Sequence, residues 1–330
     1  SGTCKVQLLR SIGKWSTGTK EETSIQNCYI DSINSAKHFI YIENQFFVSS
    51  TAGSDVSNGI ATALVNRILQ AHTAGEEFRV LVLIPLHPNG DFAAAKKSQV
   101  VMHFEYATIN RGAASMFEQL RRRAPGIPIS KYLGFHSLRN WGVINNKVVS
   151  DQVYVHDKVM IVDDRVAIIG SANINDRSML GERDSELAIR IEDTLHCNTS
   201  MAGQPFTVGF MPHTLRVRLM RSHMGEGEDF DLSDPLSEAV QGAWKLRSNS
   251  NSAVYDQIDG PISAYRVTTL GQYRDAFAGY VNPSYLDPGI QHTMAEIRGF
   301  LVDWPQTLLE REDMSPTLAL RTVIPNALWV

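Results

Sequence analysis

One stretch of the chain combines residue types that can act together on a phosphate ester: His156-Asp157-Lys158, then Asp163, then Gly170-Ser171-Ala172-Asn173. An imidazole can attack phosphorus or carry a proton, and a fixed ammonium neutralises charge on phosphoryl oxygens. On a strand, His156 and Lys158 are two residues apart and leave the same face. Their apolar neighbours Val155, Val159, Met160, Ile161 and Val162 would make that element rigid. The Gly-Ser-x-Asn turn adds a hydroxyl and a carboxamide, both neutral donors for phosphate oxygens. A lone H-x-K arises often by chance, whereas the whole spacing H-x-K-x4-D-x6-G-S-x-N is specific and points to a phosphodiester site. Of the ten histidines, only His156 is followed by a lysine two residues on.

The elements that must position this stretch alternate in type over the first 170 or so residues. Val6 to Leu9 is a short apolar run, and Ser24 is placed to cap a helix with Ile25, Tyr29 and Ile33 on one face. Phe39 to Ile42 and Val80 to Ile84 read as buried strands, separated by an amphipathic helix through Ile60, Leu64, Ile68 and Leu69 that ends at Gly75. A third helix is expected over Val100–Arg123. Tyr154–Val162, the turn Asp163-Asp164-Arg165 and Val166–Ile169 form a strand–turn–strand unit, and Leu187–Ile191 is a further strand. This order argues for an α/β layered sheet, and the continuous apolar strands imply helices on both of its faces. Beyond residue 193 the pattern weakens. Asn198–Gly209 reads as a loop, Leu215–Met224 and Leu236–Leu246 as helices, Glu226–Asp234 as an acidic loop, and 248–330 as short apolar pieces between Gly, Pro and Ser. The expected division is a catalytic lobe over 1–193 and a helical and loop extension over 194–330 that packs on it, closed by the apolar tail Ile324–Val330.

Composition narrows the function classes. Lys and Arg number 31 against 35 Asp and Glu, a net charge of −4, so the chain as a whole has no electrostatic reason to seek nucleic acid. With 43% apolar and 20% charged residues it is a globular sequence, and no apolar run is long enough to span a bilayer. Cys4, Cys28 and Cys197 are odd in number and widely spaced, which speaks for a reducing compartment over a disulfide framework. No C-x-x-C or H-E-x-x-H spacing supports a zinc site. The start Ser1-Gly2-Thr3-Cys4, without Met, suggests a piece of something longer.

The stretch from His156 to Asn173 resembles the second HKD motif of the phospholipase D superfamily. Ile169–Met179, Ile40-Tyr41-Ile42-Glu43-Asn44-Gln45-Phe46-Phe47, Arg183-Asp184-Ser185-Glu186 and the tail from Ile324 to Trp329 are similar to the eukaryotic phosphatidylcholine-hydrolysing members. The resemblance implies a phospholipase D-like α/β fold and the C-terminal catalytic half of such an enzyme. Its reaction would hydrolyse phosphatidylcholine to phosphatidic acid and choline, or pass the phosphatidyl group to an alcohol, through a phosphohistidine. His156 would be one of two facing histidines, assigned here to acid/base duty. Lys158 and Asn173 would hold phosphoryl oxygens with support from Ser171, Glu186 would orient the histidine ring, and Asp163 would be structural. The other HKD motif would come from a first half upstream or from a second chain, so the chain alone is expected to be catalytically incomplete. Implied partners are that half and a phospholipid membrane surface, with no nucleic acid, in a cytoplasmic, peripheral-membrane setting. No metal or cofactor is required by the chemistry, and a phosphoinositide activator is suggested. An HKD-type nuclease and a non-catalytic interaction module are the rival readings. Glu43, Asn44 and Gln45 end a strand either as a polar cap or as the lining of the active-site mouth. Arg121–Arg123 fit a solvated helix end or contacts to anionic headgroups, and Phe46-Phe47 fit burial or the membrane. Trp141, in a polar loop over Arg139–Lys147, is the better interfacial candidate.

Overall fold

A computed structural model describes residues 2–259 and 267–316. The tail Ile324–Val330 lies outside these residues. The strands are β1 (Cys4–Ile12), β2 (Glu22–Thr23), β3 (Phe39–Glu43), β4 (Arg79–Leu83), β5 (Leu133–Ile144) and β6 (Lys147–Gln152). They continue with β7 (Val159–Val162), β8 (Val166–Gly170), β9 (Glu186–Asp193), β10 (His196–Met201), β11 (Gln204–Gly209) and β12 (Leu301–Asp303). The helices before the motif are α1 (Lys14–Thr17), α2 (Ser24–Ser35), α3 (Ile60–Ala74), α4 (Lys96–Ile109), α5 (Met116–Arg123) and α6 (Ile129–Tyr132). After it come α7 (Asp176–Met179), α8 (Phe210–Met224), α9 (Glu238–Asp259), α10 (Leu270–Ala278) and α11 (Pro288–Ala295).

The main sheet runs in the order β12-β5-β4-β3-β7-β8-β9-β1-β2, with β6 paired to β5 off this path. β3, β4 and β5 are parallel, and the other pairings are antiparallel. Both faces are covered, as the unbroken apolar strands require. Ile40, Ile42, Val80 and Val82 pack with Ile25, Ile33, Leu64 and Ile68 of α2 and α3, while Phe39, Tyr41, Leu81 and Leu83 pack with Met220, Val240 and Trp244 of α8 and α9. The alternation within one strand thus divides its side chains between two helical layers. The C-terminal residues contribute α8 and α9 to the second layer, and β12 hydrogen-bonds to β5 at the sheet edge.

Several elements differ from the sequence expectation. The helix expected over Val100–Arg123 is two helices: Gly112 takes the left-handed φ of 84°, and Ser115 caps α5 by accepting from the Glu118 N–H. Asn198–Gly209 is the hairpin β10–β11, turned at Ala202 and Gly203 with φ of 54° and 74°. The supposed loop Arg139–Lys147 is most of the hairpin β5–β6, turned at Asn145 and Asn146 with φ of 50° and 59°. Paired positive φ values suit the twist of two-residue hairpins, and short polar strands hide this from a pattern of apolar alternation. Trp141 is accordingly half-buried against Tyr285, their ring centroids 5.9 Å apart. Ser24 is the first residue of α2, and its hydroxyl accepts from the Arg10 N–H and donates to the Arg10 carbonyl instead of accepting from a helix N–H. Phe47 is fully buried, and Arg121–Arg123 form the last turn of α5. The stretch 248–316 is more ordered than its punctuation suggests, holding the second half of α9 together with α10, α11 and β12. All three cysteines are free. Among the described residues no helix is long and apolar enough to cross a membrane.

The register brings particular strand ends to one edge. Glu43, the last residue of β3, lies opposite Val159, the first of β7. Val159 is opposite Ile169 near the end of β8, and Gly170 is opposite Ala188 near the start of β9. Segments leaving β3, β7, β8 and β9 at this edge are therefore neighbours.

Behind that edge, α4 carries Glu105, which is 4% exposed and hydrogen-bonded to the Phe47 backbone. Burial pushes its carboxyl up to about 8. The folded chain thus keeps a proton that the unfolded chain releases at the ordinary carboxylate pKa. Its contribution to stability is present at low pH and lost as pH rises toward about 8. Urea unfolding of wild type and Glu105→Gln from pH 5 to pH 8 should show wild type losing on the order of 2 kcal/mol relative to the variant. Parallel pH profiles would place the effect elsewhere.

Candidate active site

His156 and Lys158 precede β7 instead of lying on it: the strand begins at Val159, and 153–158 forms an irregular approach to the edge. Backbone bonds hold its two ends, Val153 N–H donating to the Leu138 carbonyl of β5 at 2.9 Å and the Lys158 carbonyl accepting from the Gly170 N–H of β8 at 3.1 Å, and side chains brace what lies between. Gln45, just past the end of β3, donates through Nε2 to the Tyr154 hydroxyl at 3.2 Å and accepts from Lys158 Nζ at 3.0 Å. One carboxamide thus braces the approach on both sides of His156. Lys158 Nζ also donates to the His156 carbonyl, and the side chain is 7% exposed. Desolvation lowers its pKa, opposed by Asp157 and Glu186. The His156 ring is exposed, lies against the Tyr154 ring at 6.4 Å between centroids, and makes no hydrogen bond among the described residues.

The Gly-Ser-x-Asn turn leaves β8 beside this lysine. A Cβ on Gly170 would sit 2.5 Å from both the Ala188 Cβ and the Leu187 carbonyl oxygen, so the close approach of β8 to β9 requires glycine. Ser171 Oγ donates to Glu186 Oε2 at 2.5 Å, and Ser178 Oγ donates to Glu186 Oε1 at 2.7 Å. Glu186 is therefore gripped by two serines, and the contact to the His156 ring implied by the resemblance is not formed in this structure. Asn175 caps α7 by accepting from Ser178, and Arg177 pairs with Asp184 at 2.9 Å, so the loop between β8 and β9 is fixed. Asn173 is half-buried, with Oδ1 shielded from solvent and unpaired.

Asn44 and Glu43 take different parts from Gln45. Asn44 is fully buried; its Oδ1 accepts from the Phe46 and Ile174 N–H groups at 3.2 and 3.1 Å, and its Nδ2 donates to the Ala172 carbonyl at 3.4 Å. It brackets the end of β3 to the Gly-Ser-x-Asn turn. Glu43 is 2% exposed beneath the mouth and accepts from Tyr41 Oη at 2.5 Å and His223 Nε2 at 2.8 Å. Burial would raise its pKa, but the donors His223, Asp157 and Tyr41 hold it below the ordinary carboxylate value. Only Gln45 of the three reaches Lys158.

Asp163 sits far from the mouth, at the opposite end of β7. It and Asp164 make the β7–β8 turn with φ of 50° and 51°. The Asp163 carboxylate accepts from the Lys37, His38 and Phe39 N–H groups at 2.6, 2.8 and 2.8 Å, tying the turn to the start of β3. Sequence reasoning missed Tyr154, Ser178, Tyr41 and His223. His223 is 180 residues from Glu43, and no local spacing signals such a pair.

At this edge of the sheet an exposed imidazole thus lies near a shielded ammonium, a carboxamide and a serine–glutamate pair. The sequence model of the family described as Phospholipase D matches residues 7–152 and 143–263. Phospholipase D1 of Schizosaccharomyces pombe is 48% identical over 235 residues, covering 68% of this chain and 17% of that protein. Phospholipase D B of Dictyostelium discoideum is 38% identical over 305 residues, covering 92% of this chain and 24% of its own length. Phospholipase D2 of Bos taurus is 38% identical over 331 residues, covering 98% and 35%. The chain belongs to the phospholipase D family. It spans at most about a third of the length of these relatives.

Two substitutions test how the site is held. Asp163→Ala strands three backbone N–H groups and should cost about 2–4 kcal/mol in denaturant unfolding. A loss under 0.5 kcal/mol would mean that the start of β3 is fixed by other contacts. Gly170→Ala should cost about 1–3 kcal/mol by forcing β8 and β9 apart. A crystal structure of that variant with Ser171 still bonded to Glu186 would contradict the close-approach argument.

Proposed function

We propose that this chain is the C-terminal catalytic half of a phospholipase D acting on phosphatidylcholine at a membrane surface. The observation that carries the reading is the convergence of His156, Lys158, Gln45, Asn173 and the Ser171–Glu186 pair at one sheet edge, in a chain with a single HKD motif. A histidine from a second motif attacks phosphorus, forming a P–N bond while the P–O bond to choline breaks. His156 gives its proton to the departing choline oxygen. It then takes a proton from water or from an alcohol, whose oxygen attacks phosphorus and releases the first histidine. Phosphatidic acid or a new phosphatidyl ester leaves. Lys158 and Asn173 hold the phosphoryl oxygens throughout, supplying positive field where charge develops.

Support for a second half comes from the β1–β9 strand pair. Val6, Leu8 and Leu187 lie on one face there, 58%, 65% and 54% exposed, the opposite face of β9 from Glu186. Such a patch suits further protein packed on this part of the sheet. Mixing this chain with a fragment that supplies a first HKD motif should restore choline release from phosphatidylcholine vesicles. His156→Ala should lower the restored rate by about 10²–10⁴-fold. Full activity in that variant would overturn the assignment.

A further inference from the structure

β5 does not stop at the edge where the site lies. There Leu83, the last residue of β4, is opposite His136, and β5 runs on to Ile144 before the turn at Asn145 and Asn146 returns it as β6. β6 ends at Gln152 and leads into the approach that carries His156 and Lys158. The hairpin thus stands off the mouth of the site. The segment between α10 and α11 is laid along it: the Val148 N–H donates to the Pro283 carbonyl and the Tyr285 N–H to the Asn146 carbonyl, each at 2.9 Å. At the other end of that segment, α10 packs on the loop leaving β4 at the same edge. Arg274 Nη2 donates to the Ala93 carbonyl at 3.0 Å, and the Phe92 and Tyr273 ring centroids are 4.7 Å apart. Large apolar side chains project from this ridge: Val143, Ile144, Phe277, Val281 and Leu286 are 42%, 61%, 59%, 74% and 67% exposed. We propose that the ridge from the β5–β6 tip to the end of α10 is the surface that docks the protein on a phospholipid bilayer, with these side chains entering the acyl layer. The choice of a bilayer rests on the function proposed above, whereas binding to vesicles can be measured without any activity.

The form of the ridge selects the occupant. Its apolar groups sit on turns and element ends: Ile144 precedes the Asn145-Asn146 turn, Leu286 follows the residue bonded to Asn146, and Phe277 and Val281 flank the end of α10. A folded partner would have to match each projection with a hollow, whereas a fluid acyl layer closes around them without one. Behind the tips lie rings with a polar end. Trp141 and Tyr285 are half-buried against each other, and Tyr280 is half-buried just after α10. Trp and Tyr suit the boundary between acyl chains and headgroups. Lys147, exposed after the turn, stands where lipid phosphates would lie. A net charge of −4 gives the chain no long-range pull toward anionic lipid, so the attraction must be apolar. The patch of Val6, Leu8 and Leu187 is a different surface, on a sheet face separated from β5 by β4, β3, β7 and β8. A bilayer seated on the ridge lies at the same edge of the sheet as His156, so a phosphodiester at its surface is presented to the site.

The experiment sediments the full chain with phosphatidylcholine vesicles. Wild type should bind, and binding should persist when salt is raised from about 0.1 M to about 1 M, because apolar insertion is not screened. Ile144→Asp combined with Leu286→Asp should lower the partition coefficient by about tenfold or more. Leu8→Asp should bind as wild type does. No binding by wild type, binding abolished by salt, or equal loss in Leu8→Asp overturns the docking surface. Because a misfolded variant would also lose binding, Ile144→Trp and Leu286→Trp give a second reading. Both should bind at least as tightly as wild type, and vesicles should shift their fluorescence to the blue relative to wild type. No such shift in either variant overturns the insertion of the ridge. With a first-half fragment supplied, the double aspartate variant should lose choline release from vesicles. It should stay within about twofold of wild type on dibutyrylphosphatidylcholine dissolved as monomers. Equal loss on both substrates overturns the docking role. Failure of wild type to release choline from either substrate would sink the function proposed above, with docking still decided by sedimentation.

Discussion

The antiparallel pairing of β7 with β3 is the constraint from which the site follows, and one carboxylate pins it. Asp163 accepts three successive N–H groups at the start of β3, so the turn after β7 cannot slide along its neighbour. A slip of one residue would exchange the two faces of β7 and send Met160 and Val162 to the wrong helical layer. With that register fixed, the end of β3 must meet the beginning of β7. The aspartate of the HKD motif therefore acts at the far end of the strand, fixing the position of His156 and Lys158 without touching either.

The next residue makes the corresponding connection to the outer layer. Asp164 is fully buried and binds His213 and Arg216 of α8. Burial would raise its pKa, but Arg216 and His213 hold it below the ordinary value. At the other end of the same helix, His223 reaches Glu43 under the mouth of the site. α8 is thus tied to the sheet at both ends of β7, once to a turn and once to the floor of the site. A helix far from the motif in sequence becomes part of the frame that holds it.

Much of this was legible from residue types and spacing. The buried strands Phe39–Ile42 and Val80–Ile84, the helix ending at Gly75 and the turn at Asp163-Asp164 are local patterns, and the structure forms each of them. The readings that failed share a physical cause. Asn198–Gly209 and Arg139–Lys147 are polar hairpins whose partners are each other, so no apolar alternation announces them. The His156–Lys158 approach was read as strand because its neighbours are apolar, yet the sheet ends at Val159 and side-chain bonds to Gln45 take over. Glu43, Asn44 and Gln45 look alike as a polar strand end. Burial separates them into a charged floor, a bracket and a brace, since consecutive residues leave a strand end in different directions.

By itself the sequence determined which groups are available for phosphate chemistry, their order, and the presence of one HKD motif, because these depend on identity and on spacing within about twenty residues. Tertiary structure alone decided that Glu186 is gripped by Ser171 and Ser178, that Gln45 holds Lys158, and that His223 reaches Glu43. Those contacts join segments up to 180 residues apart. Which of the many polar side chains meet at a buried carboxylate is settled by packing two helical layers on one sheet, and no local pattern in the chain encodes it.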